Sequence, residues 1–267
     1  MPVPVIFLPH GGGPLPLLGD AAHAGLTRFM ADIPARLGQP RAILVISAHW
    51  EEPQACVTSA AQPELIYDYY GFPPESYQIR YPAPGDLQLA ARIEALLAAQ
   101  NIAVHADPAR GFDHGLFVPL KLMYPAADIP CIQLSLLSSL DPAAHIRLGE
   151  ALAPLCDEGV LIMGSGLSFH NLRAFFSTPT EKSLADSLAF DKWLRHTITA
   201  DESGNEKRAE QLCHWQQAPA ARFCHPREEH LLPLHVCFGV AKARGMSAQV
   251  VFNERLMGMW TSGFLWQ

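Results

Sequence analysis

The sequence predicts an α/β fold: three layers, α/β/α, around a central, largely parallel or mixed sheet, with the active site at the C-terminal edge of the strands. Three observations carry this reading. Five short apolar runs recur along the 267 residues, at 3–8, 42–47, 129–136, 159–166 and 248–253. They are continuous rather than alternating, which marks strands covered on both faces. The segments between them repeat apolar residues at helical spacing, and the length suits one large core better than two small ones. The whole of 1–267 is therefore read as one domain.

"VPVIFL" (3–8) is the first strand and runs into "PHGGG", which carries His10; "AILVIS" (42–47) is the second and runs into "AHW", which carries His49. The stretch 51–85 is rich in Pro, Tyr and Gly, too long for an ordinary connection and too aromatic for a spacer. It reads as an ordered functional loop that walls a pocket. A helix follows at 85–101, with Leu87, Ala90, Ala91, Ile93, Ala95 and Leu97 on its apolar face. After the strand at 129–136, a second helix (141–159) has Asp141 as N-cap and Pro142 at its first position. The strand "GVLIMGSG" (159–166) leads through "LSFHN" to His170. Helices at 180–200, capped by Thr180, at 206–215 and at 231–245, stopped by Gly245, precede the last run, "AQVVFN" (248–253).

A net charge of −7 with scattered basic residues offers nothing to neutralise a run of phosphates, so the partner expected is a small molecule and not nucleic acid. The first residues lack the basic region of a secretory signal. No window approaches the roughly 18 apolar residues of a membrane span. A cytoplasmic protein is expected. Six dispersed cysteines form no CxxC pair. Cys224 beside His225 would be a thiolate nucleophile only with a supporting motif, and none is present.

Histidine is the residue type that organises the sequence. His10, His49 and His170 each follow a strand, and in open α/β sheets ligands bind beyond the carboxyl ends of the strands. His114 in "GFDHG" is read as a loop residue between glycines, and His230 precedes a helix. Imidazoles gathered from distant positions suit a transition-metal site. Taken singly, each is more often a satisfied polar group, and His225 and His235 near His230 are the strongest decoys. His23, His105, His145, His196 and His214 read as surface or partly buried residues. Tyr67, Tyr69, Tyr70, Tyr77 and Tyr81 are equally compatible with packing and with substrate contact.

In order and spacing, "HGGGPLPLL", "SAHW", "YGFPPESYQIRYPAPG", "GFDHGLFVPLKLMYPAADIPCIQLSL", "GSGLSFHNLR" and "REEHLLPL" resemble the class III extradiol ring-cleavage dioxygenases of the LigB type. Within that group the sequence is most similar to the single-chain 4,5-DOPA extradiol dioxygenase branch. The resemblance implies insertion of O2 into a catechol-type diol to give a muconic semialdehyde-type product. It implies His10, His49 and His230 as metal ligands, His170 as a further ligand or as the acid/base, and His114 as a pocket residue with a catalytic role. Fe(II) is the implied working metal. An all-imidazole set favours Zn2+ in a purified sample, because zinc binds more tightly than Fe(II).

Two-subunit relatives complete their site with a carboxylate where this sequence has His230, preceded by Glu228 and Glu229. That departure keeps two alternatives open: a zinc-dependent hydrolase and a non-catalytic metal-containing binding protein of the same fold. Arg173 and Arg80 are candidates to meet a substrate carboxylate. A homo-oligomer is compatible with the sequence.

Overall fold

The computed structural model describes residues 3–200 and 204–267. In chain order, β1 (Val5–Pro9) is followed by α1 (Ala24–Asp32), the short α2 (Pro34–Leu37), β2 (Ala42–Glu52) and β3 (Ala55–Thr58). Next come α3 (Leu87–Ala99), β4 (Val104–Asp107), α4 (His114–Met123), β5 (Cys131–Leu137), α5 (Pro142–Leu152) and β6 (Val160–Gly166). The last third holds α6 (Leu172–Phe175), α7 (Glu181–Thr199), α8 (Gly204–Cys213), α9 (Ala221–Cys224), α10 (Leu232–Arg244) and the hairpin of β7 (Ala248–Leu256) and β8 (Met259–Trp266).

The eight strands form one mixed sheet in the order β4-β3-β5-β2-β6-β1-β8-β7. Its centre, β5-β2-β6-β1, is parallel, and the direction reverses where β3 meets β5 and β8 meets β1. Alternate residues of the central strands feed two apolar layers. Val5, Phe7, Leu44, Ile46, Val160 and Ile162 join the layer built with α3, α5, α7 and α10. Ile6, Leu8, Ile43, Val45, Leu161 and Met163 join the one built with α1 and α4. Burial on both faces is the reason the runs show no alternation.

The predicted caps Asp141, Thr180 and Gly245 are present, and Asp86 adds one that the sequence reading did not name. Asp86 accepts from the Leu89 N–H, Asp141 from the Ala143 N–H, and Thr180 forms a capping box with Ser183. Gly245 closes α10 with φ +63.

Several sequence expectations change, and the short strands β3 and β4 and helix α1 had not been expected at all. The helix expected over 141–159 ends at Leu152, where a 3-10 turn, Ala153–Cys156, takes over at Pro154, a residue without an N–H to continue the ladder. The irregular stretch begins after β3 and not at 51, because β2 runs on to Glu52. Helix α4 had no visible stripe because it is buried all round from His114 to Leu120 and contains Pro119. Strand β8 was also unforeseen; it pairs with β7 across a Met257-Gly258 turn with φ +49 and +86, the signature of a type I′ hairpin.

One close approach shapes the site. A Cβ on Gly166 would stand 2.2 Å from the His230 carbonyl, so the bare end of β6 lets the segment entering α10 lie directly against the sheet.

Candidate active site

Strands β2, β6 and β1 are neighbours, so their carboxyl ends form one row. His10 extends β1, its N–H donating to the Gly166 carbonyl at 3.1 Å. His49 lies within β2 and not beyond it. Pairing with β5 shifts register between Ile46 and Glu51, and such a bulge re-aims the side chains it carries. His230 sits in the turn before α10, its carbonyl accepting from the Leu167 N–H at 2.9 Å. His170 follows β6, its N–H donating to the Cys224 carbonyl at 2.9 Å. His114 is the first residue of α4 rather than a loop residue.

These five imidazoles converge. The Nε2 atoms of His10 and His49 are 3.3 Å apart, and His10, His49 and His230 each bring a nitrogen within 4.8 Å of the others. The His49 and His114 rings are 3.9 Å apart, and His170 stacks on His230 at 3.4 Å and 19°. Neutral lone pairs that face each other repel unless a cation or proton lies between them. Two imidazole nitrogens each about 2.1 Å from one ion at the tetrahedral angle stand about 3.4 Å apart, which matches the His10–His49 spacing. The residues therefore fit a divalent transition metal.

Their ionisation agrees. Burial, then the neighbouring His114, holds His10 and His49 well below the usual histidine range. Burial and His170 push His230 down to about 3. All three imidazoles are therefore neutral at neutral pH, the form a metal ion would require.

Two carboxylates that sequence reasoning did not assign stand behind them. Asp68 accepts from the His114 Nδ1 at 2.8 Å and from the His114 backbone N–H at 3.0 Å, and lies 3.6 Å from the His49 Nδ1. Glu229 Oε1 faces the Nδ1 atoms of both His230, at 2.9 Å, and His170, at 3.1 Å. Arg227 anchors this carboxylate at 3.3 Å while gripping Glu51 with both guanidinium arms at 2.5 and 2.6 Å. Burial raises both carboxyls, but the histidine hydrogen bonds outweigh it and leave each below its usual range. A carboxylate on the Nδ1 of a histidine orients the ring and raises its basicity as a ligand. Glu228 turns away to Arg222.

A cavity of about 500 Å³ opens over the cluster. Its floor is the five histidines and Asp68, and its walls include Gly11–Gly13, Tyr69, Phe72, Leu167, Phe175 and Met257. The loop expected to wall a pocket does so through Asp68, Tyr69, Tyr70 and Phe72. The Tyr69 ring stands edge-on to His114 at 5.8 Å. Tyr67 and Tyr81 are packing residues whose hydroxyls donate to the Ile79 and Tyr124 carbonyls.

Several candidates fall elsewhere. Arg173 lines a separate cavity with Ser177 and Thr180, and Arg80 is exposed and not part of the histidine cavity. His225 and His235 bond to the Ser168 and Leu212 carbonyls, and burial raises the Cys224 thiol, so no Cys-His nucleophile forms. His23 and His145 are fully buried, a correction to their reading as surface or partly buried residues. The first accepts from the Gly12 N–H and the second from the Leu137 N–H, each as part of the framework.

A family model described as the catalytic LigB subunit of aromatic ring-opening dioxygenase matches residues 4–265. The chain belongs to the LigB family. This LigB-family extradiol dioxygenase is 44% identical over 229 residues to the "4,5-DOPA dioxygenase extradiol" of Beta vulgaris, covering 85% of this chain and 81% of that one. It is 43% identical over 254 residues to the "Dioxygenase tasH" of Hapsidospora irregularis, covering 89% and 78%. The crystal structure of an uncharacterised Escherichia coli K12 protein superposes with a TM-score of 0.78 at 31% identity, over 98% of this chain and 99% of that one. LigB dioxygenases are metal-dependent, and they take a small-molecule substrate and O2. Among the described residues, no helix of this family member is long and apolar enough to cross a membrane.

Proposed function

We propose that this dioxygenase inserts both atoms of O2 into a catechol-type aromatic diol, opening the ring beside the diol to give a muconic semialdehyde-type product. The observation that carries the reading is the group of His10, His49 and His230, two of whose nitrogens stand 3.3 Å apart at ligand spacing. These three residues would hold the metal, and Fe(II) there supplies the redox chemistry that lets a diol react with O2. Zn2+, which binds imidazole more tightly, would fill the same nitrogens in a sample prepared without added iron.

His170 lies outside the three-histidine group, with its Nδ1 committed to Glu229 and its ring stacked on His230. That position suits a group that takes a proton from the diol and returns one after ring opening. His114, anchored by Asp68 at its Nδ1, lines the cavity and would orient the diol. The apolar walls exclude water from the reacting oxygens.

The test is anaerobic reconstitution with Fe(II), then addition of a catechol panel and air, followed by O2 uptake and by the yellow absorbance of a semialdehyde. Stoichiometric O2 consumption with the yellow product is expected. Turnover of esters or amides with no O2 uptake would replace this reading with a hydrolytic one.

A further inference from the structure

The bulge that aims His49 inward also deprives that residue of strand partners. Pairing of β2 with β6 ends at Ser47 and Ser165, and the ladder with β5 has no pair between Ile46 and Glu51. The backbone groups of His49 must therefore find other partners. Its N–H donates to the Ser47 Oγ at 3.2 Å, and its carbonyl accepts from the Arg110 Nη2 at 3.5 Å. Both of those side chains bind one carboxylate. The Ser47 Oγ donates to the Asp113 Oδ1 at 2.8 Å, and the same Arg110 Nη2 donates to the Asp113 Oδ2 at 3.2 Å.

We propose that Asp113 is a positioning residue: it stands in for the missing strand contacts of His49 and so sets where that ring lies relative to His114, which follows Asp113 in the chain. This rests on the reading of His49 as a metal ligand.

An aspartate at a helix N-cap ordinarily accepts from the first turn of its own helix. Asp113 precedes α4 and makes no such bond. It is fully buried, and its place is fixed by Gln133 of β5, whose Nε2 donates to the carboxylate and whose Oε1 accepts from the Asp113 N–H at 3.3 Å. Capping therefore does not account for the residue. Room for the Ser47 contact comes from Gly115, where a Cβ would stand 2.5 Å from the Ser47 Oγ. The tripeptide "DHG" thus supplies an anchor, a pocket imidazole and a gap. The His49 and His114 rings are only 3.9 Å apart, and a site of this kind tolerates displacements of no more than about 0.5 Å.

The test uses the full chain loaded with Co2+, whose visible d–d absorption reports the number and arrangement of its ligands, beside Zn2+ affinity measured by competition with a chelator. Asp113→Asn keeps an oxygen for Ser47 but loses the charge that holds Arg110. Ser47→Ala removes only the link to the His49 N–H. Each should alter the Co2+ spectrum and weaken Zn2+ binding by about tenfold, while the circular dichroism stays that of the folded chain. Because both residues act along one chain of contacts, the double variant should weaken binding by much less than the product of the two single effects.

Folded variants with unchanged spectrum and affinity overturn the proposal, even if their urea midpoints fall, because that is the result a purely structural role gives. Full multiplication of the two effects in the double variant also overturns it. If Asp113→Asn does not fold, Ser47→Ala decides alone by the same spectrum and affinity. A wild-type chain that binds neither Co2+ nor Zn2+ overturns the metal reading itself and this proposal with it.

Discussion

The roles proposed for the clustered histidines follow from what each ring nitrogen faces. His49 faces His10 nitrogen to nitrogen, whereas His114 is tethered to Asp68 through both its ring and its backbone N–H. His49→Ala should therefore lose bound metal and turnover together, read by metal analysis beside O2 uptake. His114→Ala should keep its metal while turnover falls by about two to four orders of magnitude. Loss of metal from that variant would reverse the two roles. Glu229 serves His230 and His170 at once, so Glu229→Gln should weaken metal affinity by about 10- to 100-fold, measured by competition with a chelator. An unchanged affinity would show that the rings are held by packing alone.

At the scale of elements, the site depends on how closely α10 approaches its neighbours. Helices α5 and α10 pack through paired glycines: a Cβ on Gly149 would stand 2.0 Å from the Val236 carbonyl, and one on Gly239 would stand 2.1 Å from the Ile146 carbonyl. Backbone lies on the far side of both contacts, so Gly239→Ala forces the helices apart. The expected cost is about 1–3 kcal/mol, seen as a lower urea midpoint with an unchanged slope. Full stability in that variant would mean that α10 can shift without resistance. The central strands and most helices were legible because burial on two faces and capping both leave local marks. β8 and α4 were not. The first needs its Met-Gly turn recognised, and the second is too uniformly apolar to show a period.

For the whole molecule, buried neutral histidines outside the cluster set the response to acid. Burial pushes His145 down to about 4 and His225 down to about 3, whereas in the unfolded chain both take up a proton near 6.5. Between those values the unfolded state binds the proton and the folded state does not, so stability falls as pH falls through that window. The metal-free protein should lose up to about 1.4 kcal/mol per histidine per pH unit below about 6.5. Below about 4, protonation of Asp68 and Glu229, both held low in the fold, removes more. Thermal unfolding from pH 8 to 4 checks this. A midpoint that stays flat down to pH 5 would contradict it.

Sequence by itself determined the layered α/β architecture and singled out His10, His49, His114, His170 and His230, the histidines that the fold gathers, because two-sided burial and motif spacing are written locally in the chain. Only the tertiary structure decided that a bulge turns His49 inward, that Asp68 stands behind a histidine 46 residues away, and that Arg173 lines a separate cavity. These depend on register and on which distant loops meet. Residue type alone leaves an arginine equally free to face the substrate or, as Arg227 does, a pair of carboxylates.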